Sequence, residues 1–256
     1  MAIIKPFTII YEDHCIIAVN KASGIAVTGE RWDKDAPRLD MILKQELALQ
    51  TGLDEIPELF TVHRIDKDTS GLVIFAKDRE THRQLSLAFE SRQLEKTYIA
   101  VIHGRPSWPD GTISCDLPLV PDGNKKHLTI IDKYRGKASC TGFNVLLSMG
   151  NYSVIEARPI TGRTHQIRVH LSSLGHPIVC DPLYGRHSRS GTEKGVYLSS
   201  FKRNWQGDPS EEQPLLARLG LHAARLVLNN VILEAALPKD MAALIKQMEK
   251  LKGDNI

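Results

Sequence analysis

Apolar and polar positions alternate in short blocks along the chain, and the period of the blocks changes often enough to predict a mixed fold. Phe7-Thr8-Ile9-Ile10-Tyr11 and Cys15-Ile16-Ile17-Ala18-Val19 read as two strands around the polar turn Glu12-Asp13-His14. From Arg38 to Gln50, Leu39, Ile42, Leu43 and Leu47 recur at helical spacing, with Gly52 as a stop. Leu72 to Ala76 is an apolar run of strand length. Asp78 is placed to cap a helix over 79–91 whose Leu85, Ala88 and Phe89 face inward. Leu94 to Gly104 alternates as a half-buried strand, whereas residues 105–127, rich in Pro, Gly and Asp, predict a long, partly irregular excursion with a basic tip. Strands follow over 128–131, 138–147 and 152–158. Ile167, Leu171 and Leu174 share a helical face, with Thr164 as N-cap, Gly175 just past the end and Pro177 barring continuation. Leu221 to Leu226 reads as a core strand, and Pro238 opens an amphipathic C-terminal helix. Strands in succession, joined by turns and interleaved with helices, predict an α+β fold with a mixed, mainly antiparallel sheet.

The chain has 256 residues, 42% of them apolar and 25% charged, in the range of soluble globular domains. No apolar run approaches the roughly 20 residues that span a bilayer, and Met1-Ala2-Ile3-Ile4-Lys5-Pro6 lacks the pattern of a signal peptide. A cytoplasmic location is therefore expected. Cys15, Cys115, Cys140 and Cys180 form no CxxC pair, and no histidine stands near them at zinc-finger spacing. A net charge of +3 is too small to identify a nucleic-acid binder by itself. The basic residues that could gather on one face include Lys125, Lys126, Arg186 and Arg189, in two loops.

One stretch, Thr61-Val62-His63-Arg64-Ile65-Asp66-Lys67-Asp68-Thr69-Ser70-Gly71-Leu72, is too polar for a core and too short for a linker. Residue types alone allow a surface turn as readily as a functional loop. A protein-kinase catalytic loop would place Asp directly after Arg and would be accompanied by a Gly-rich loop and a DFG element, none of which is present. A phosphatase of the haloacid-dehalogenase type would place its paired aspartates directly after an apolar strand, whereas His63-Arg64 precede Asp66 here. His165 and His170 are five residues apart, without the helical spacing of a metal pair, and no metal site is expected.

The order His63-Arg64-Ile65-Asp66, then Thr69-Ser70-Gly71-Leu72, resembles the catalytic motif of the RluA family of RNA pseudouridine synthases. Three further segments are similar to that family. They are Tyr11-Glu12-Asp13 with Ile17 to Gly24; Lys96-Thr97-Tyr98; and Arg158 to Ile178 with Cys180-Asp181-Pro182-Leu183-Tyr184-Gly185. The chain departs from the family at Ala22, where proline is usual, and at Cys180, where glycine is usual. The resemblance implies one pseudouridine synthase catalytic domain, with a core over about 7–235 and a C-terminal helix over about 238–252. It also implies the short form without an S4 domain. Asp66 would be the catalytic carboxylate, as nucleophile or as base at C2′. Tyr98 would stack on the base, and Arg168 would pair with Asp66. Arg64, His63, Lys96, Arg163, His165 and Leu171 would contact or enclose the RNA, with Lys125 and Lys126 at a basic tip. Asn20-Lys21 reads either as a hairpin turn with a solvated lysine or as a buttress for the catalytic loop. The implied partner is RNA, either tRNA or a large-subunit rRNA stem-loop, with no membrane contact and a monomeric state. The reaction breaks C1′–N1 and rejoins C1′ to C5 without redox change, so no cofactor is implied. An RNA-binding protein that has lost catalysis is the alternative.

Overall fold

The structure is a computed structural model that describes residues 6–29, 36–51, 57–123, 128–185, 195–202, 205–228 and 231–253. In chain order its elements are β1 (Phe7–Glu12), β2 (Ile16–Lys21), α1 (Leu39–Thr51), β3 (Phe60–Thr61), β4 (Ser70–Ala76), α2 (Arg79–Glu90), β5 (Glu95–His103), β6 (Thr112–Asp116), β7 (Leu119–Pro121), β8 (Thr129–Ile131), β9 (Cys140–Met149), β10 (Tyr152–Pro159), α3 (Gln166–Ser173), β11 (Leu221–Leu228), β12 (Val231–Glu234) and α4 (Lys239–Gly253). The class is the α+β fold that the pattern predicts. The chain packs as two compact units, Met1–Lys96 with His222–Ala236, and Thr97–Leu221 with Leu237–Ile256.

In the first unit β2 lies between β1 and β4, antiparallel to both, and β3 pairs antiparallel with β4. Ile17, Ala18, Val19, Val73, Ile74 and Phe75 have no exposed surface, which is why β2 and β4 read as unbroken apolar runs rather than alternating ones. Leu39, Leu43 and Leu47 give α1 its buried face. Asp78 caps α2 as expected, its Oδ1 accepting the Thr81 N–H at 2.8 Å. The parallel pairing in this unit joins β4 to β11, with Ser70 opposite His222 and Gly71 opposite Ala223. Gly71 has φ +118°, and a Cβ there would lie 2.2 Å from the Ala223 carbonyl oxygen, so the two backbones can approach only at glycine. Beside it, the buried His222 donates from Nε2 to the Ala235 carbonyl (3.0 Å), which leaves Nδ1 to accept the Ser70 hydroxyl (3.0 Å). The start of β4, where the 62–69 loop ends, is thus fixed on its β11 side.

In the second unit β5, β10, β9 and β6 form an antiparallel sheet in that order. Alternation sorts its side chains to two faces. Ala100, Ile102, Phe143, Ile155 and Ala157 pack with Ile167 and Leu171 of α3, while Val101, Leu147 and Val154 pack with Met241, Leu244 and Met248 of α4. The partly irregular excursion expected over 105–127 holds two strands that were not expected, and its basic tip lies outside the described residues. Thr112-Ile113-Ser114-Cys115-Asp116 pairs with β9 as β6, and β7 pairs with β8. The prolines at 106, 109, 118 and 121 mask a short period-2 pattern in which Ile113 and Cys115 turn inward. Helix α3 starts two residues after Thr164. Its N-cap is His165 in the left-handed region (φ 55°), with no side-chain cap. At its other end Gly175 (φ 81°) closes a Schellman motif, with His176 N–H on Leu171 O and Gly175 N–H on Ser172 O.

The 62–69 loop is tied to β4 by His63. Its Nε2 accepts the Ile74 N–H at 3.1 Å, and its ring stacks on Phe89 at 4.6 Å. Burial, and after it the Lys96 ammonium, lowers the His63 pKa to about 3. A depressed histidine binds protons in the unfolded chain that it refuses in the folded one. Its contribution therefore falls as pH drops below the unfolded value of about 6.5, by up to about 1.4 kcal/mol per pH unit. His63→Gln, whose side-chain oxygen can accept from Ile74 and does not titrate, is expected to lose less stability than the parent between pH 7 and 5. Denaturation midpoints of the two proteins against pH check this. Parallel curves would show that His63 is not held neutral.

Candidate active site

The residues singled out by sequence fall in both units, and each unit holds its share by a distinct set of bonds. In the first unit the loop carrying Asp66 is a tight turn, closed by the Thr69 N–H on the Asp66 carbonyl at 3.1 Å. Its backbone is pinned from the segment after β2. Gly24 N–H donates to Lys67 O (2.9 Å), and the Ser23 hydroxyl donates to Asp68 O (2.6 Å). Lys21, fully buried, settles the open question about Asn20-Lys21. Its ammonium is not solvated but donates to the carbonyls of Ala22 (2.9 Å), Ile25 (2.8 Å) and Lys67 (2.9 Å). These three carbonyls match the three N–H donors of an ammonium. Where proline is usual in the family, the Ala22 N–H donates to Pro6 O at 2.8 Å, a bond proline cannot make.

Around this turn, Ile65 is buried, Arg64 is exposed and Asp66 is half-buried. The geometry directs the apolar residue of the motif inward and leaves its charged neighbours at the surface of the unit. Thr69 is buried, and its Oγ1 lacks a hydrogen-bond partner among the described residues. Lys96, half-buried, has its pKa lowered by burial first and by Arg92 second.

In the second unit Tyr98 sits on β5, half-buried against the cluster that includes Ala100, Ile155 and Leu171. Leu171 is fully buried in that cluster. Gln166 organises the entry to α3. Its Oε1 accepts the Arg163 N–H (3.0 Å) and the Thr161 hydroxyl (2.6 Å), and its Nε2 donates to Cys140 O and Thr141 Oγ1. That side chain ties the 161–163 segment ahead of α3 to β9. Arg163 is half-exposed and donates from Nε to Ala138 O at 3.3 Å. His170 is not available as a ligand. It is enclosed by Thr141, Ser139 and the Leu117 carbonyl, and burial pushes its pKa down.

Arg168 is 2% exposed at its side chain and forms a fork with Asp181, Nε to Oδ2 and Nη2 to Oδ1, both at 2.8 Å. Asp181 Oδ1 also accepts the N–H groups of Leu183 (2.8 Å) and Tyr184 (3.0 Å). The Tyr184 ring lies 5.2 Å below the Arg168 guanidinium. The Tyr184 hydroxyl accepts the Thr129 N–H and shares a 2.8 Å hydrogen bond with His165 Nδ1. Arg168, His165 and Tyr184 are thus held as one group by Asp181. Sequence reasoning assigned no role to Asp181 or Tyr184. Both stand in the Cys180–Gly185 segment that carried the resemblance, but nothing in their spacing shows which cation the carboxylate serves. Cys180, at the position where glycine is usual, has φ 55° and a buried thiol that donates to Leu216 O at 3.6 Å.

Lys125, Lys126, Arg186 and Arg189 lie outside the described residues. Among the described residues one trio has metal-ligating atoms close together, Asp13, His14 and Cys15, within 4.8 Å. The Asp13 carboxylate is already committed, to the N–H groups of Cys15 and Ile16 and to the Tyr11 hydroxyl.

Residues 15–173, more than half of the chain, match the family model described as RNA pseudouridylate synthase. A ribosomal large subunit pseudouridine synthase D from Zymomonas mobilis is 32% identical over 250 residues, covering 95% of this chain and 73% of that protein. One of the same description from Borreliella burgdorferi is 36% identical over 200 residues, covering 77% of this chain and 60% of that protein. The chain thus spans about six to seven tenths of these relatives. Among solved structures, human RNA Pseudouridylate Synthase Domain Containing 4 aligns with a TM-score of 0.73 at 24% identity, over 94% of this chain and 92% of that one, a likeness of fold. The segment from Cys15 to Ser173 holds both the pinned Asp66 turn and helix α3 with Arg168, and with these matches the chain belongs to the RluA family of RNA pseudouridine synthases, isomerases of uridine in RNA.

Proposed function

We propose that this protein isomerises uridine in a stem-loop of large-subunit ribosomal RNA, as a cytoplasmic monomer without metal or cofactor, with Asp66 as the catalytic carboxylate. The observation that carries the assignment is the pinning of the Asp66 turn by Lys21, Ser23 and Gly24. A carboxylate that must meet one carbon of one sugar needs a backbone that does not drift. The relatives' names, which specify the large ribosomal subunit, favour that RNA over tRNA.

The target base must leave its stack before either bond can change. Asp66 then acts at the sugar, either as nucleophile that bonds to C1′ as N1 leaves and departs as C5 bonds, or as base that takes the C2′ proton as N1 leaves and returns it as C5 bonds. The C1′–N1 bond breaks, the base turns, C5 bonds to C1′, the proton on C5 leaves and N1 takes one up. Tyr98 offers an aromatic face to the freed base. Arg168 supplies positive charge, held at a fixed angle by Asp181, and its pairing with Asp66 belongs to this proposal. Arg64, exposed next to the turn, contacts phosphate or fills the space the base vacates.

Asp66→Asn is expected to abolish isomerisation while RNA affinity stays within about tenfold, or 1.4 kcal/mol. The amide keeps the shape but loses the charge. Release of tritium from C5-labelled uridine in unmodified large-subunit RNA, run beside a binding titration, reads both quantities. Turnover near the parent rate would remove Asp66 from the chemistry, and a parent protein that releases tritium from labelled tRNA but not from large-subunit RNA, assayed in parallel, would redirect the substrate assignment. Asp181→Asn is expected to cost about 3–5 kcal/mol of stability, because it breaks the buried fork by removing the charge of one partner. Combined with Arg168→Met, the loss should be smaller than the sum of the single losses by about 1 kcal/mol or more. A double-mutant cycle on denaturation midpoints measures it, and additive losses would mean that the fork contributes nothing beyond its parts.

A further inference from the structure

We propose that the turn Asp132-Lys133-Tyr134-Arg135-Gly136-Lys137 is an RNA-contact platform, on which an unpaired base other than the target uridine stacks on Tyr134 while neighbouring phosphates lie on Lys133 and Lys137. This rests on the reading of the protein as an RNA-modifying enzyme, and concerns a part of it to which no role has been given.

Tyr134 is 99% exposed, so its ring contributes nothing to packing. A ring left wholly in water keeps its whole face open to a stacking partner. The backbone beneath it is not slack. Asp132 Oδ1 accepts the N–H groups of Tyr134 (2.9 Å) and Arg135 (3.0 Å), and Oδ2 accepts Arg135 Nε (2.7 Å). Those backbone bonds, from Arg135 and then Tyr134, hold the Asp132 carboxyl below its ordinary range, so it keeps the turn closed through mildly acidic pH. Gly136 N–H returns to Asp132 O at 2.9 Å. A Cβ on Gly136 would lie 2.4 Å from that oxygen and 2.6 Å from the Pro118 carbonyl carbon, so the turn closes against Pro118 only with glycine.

The turn stands on the ribbon of β7 and β8. Asp132 N–H bonds to Pro118 O (3.1 Å), and Lys137 exchanges both backbone bonds with Leu119 (3.0 and 2.8 Å). The platform is therefore preorganised, and stacking on it freezes little that is not frozen already. Its charge selects the partner. Lys133, Arg135 and Lys137 are exposed, and the lone carboxylate, Asp132, is taken up by Arg135. Arg163 adds a cation at the base through its bond to the Ala138 carbonyl. An aromatic face ringed by cations fits a base flanked by phosphates, the combination that single-stranded nucleic acid presents.

The test uses the full-length protein and its Tyr134→Ala, Tyr134→Phe and Lys133→Gln/Lys137→Gln variants. Binding is measured to a dodecauridylate RNA, and to inorganic polyphosphate as a charged chain without bases. Tyr134→Ala is expected to weaken RNA binding about tenfold, within the range of a lost base–aromatic stack, and to leave polyphosphate binding unchanged. Tyr134→Phe should bind RNA like the parent. The double glutamine variant should flatten the log–log salt slope on RNA by about 1.4, two phosphate contacts of roughly 0.7 each. On unmodified large-subunit RNA, Tyr134→Ala should raise KM and leave kcat unchanged. Parent-like RNA affinity in Tyr134→Ala, or equal weakening on RNA and polyphosphate, would overturn the stacking platform. If in the same assays the parent isomerises uridine, only the platform falls and the enzymatic reading stands. A parent that neither binds nor isomerises RNA would overturn both.

Discussion

The buried ammonium of Lys21 is the interaction on which the loop that carries Asp66 depends. An ammonium is costly to remove from water unless each of its donors finds an acceptor. Here the acceptors are backbone carbonyls of Ala22, Ile25 and Lys67, drawn from two segments far apart in sequence. The cation therefore acts as a cross-link. Moving the Lys67 peptide away would leave a buried charge short of a partner, so the turn that presents Asp66 is held by the penalty for opening it. Ser23 and Gly24 add neutral bonds in the same direction. At the far end of the loop, Gly71 and the Ser70–His222 bond fix where β4 begins.

The second unit solves a similar problem with the opposite charge. Asp181 receives the Arg168 fork and two backbone N–H groups, so a buried guanidinium and a chain reversal share one carboxylate. Tyr184, positioned by that reversal, lies against Arg168 and reaches His165. A side chain with one allowed direction serves chemistry better than one with several. In both units the residues named for chemistry are flanked by residues whose part is to deny them alternatives.

Much of the fold was legible because burial leaves a period in the sequence. β2 and β4 read as apolar runs, α2 was marked by its Asp78 cap, and the end of α3 by Gly175. β6 and β7 were not legible, because prolines around them break the windows in which alternation is sought and their pairing with β9 and β8 is a tertiary matter. The start of α3 was misjudged at Thr164, because the chain enters the helix through His165 in the left-handed region, without a side-chain cap. Among site residues, motif order singled out Asp66 and Arg168, but not what holds them. Lys21 looked as much like a solvated turn lysine as a buttress, and Asp181 carried no role of its own within its motif. Whether a charge is buried, and against which partner, depends on contacts across 46 residues for Lys21 and 13 for Arg168, which no local pattern encodes.

If the proposed reaction depends on a backbone turn clamped by a buried cation, Lys21→Met must impair it. Methionine retains the length and apolar body of the side chain and removes the three donors. The measurement is the single-turnover rate of C5 tritium release at saturating RNA, below the variant's unfolding midpoint as verified by circular dichroism. The expected result is a fall of about a hundredfold, the scale of misplacing a catalytic group by about 1 Å, with RNA affinity within about threefold of the parent. A folded Lys21→Met protein that isomerises uridine at the parent rate would contradict it.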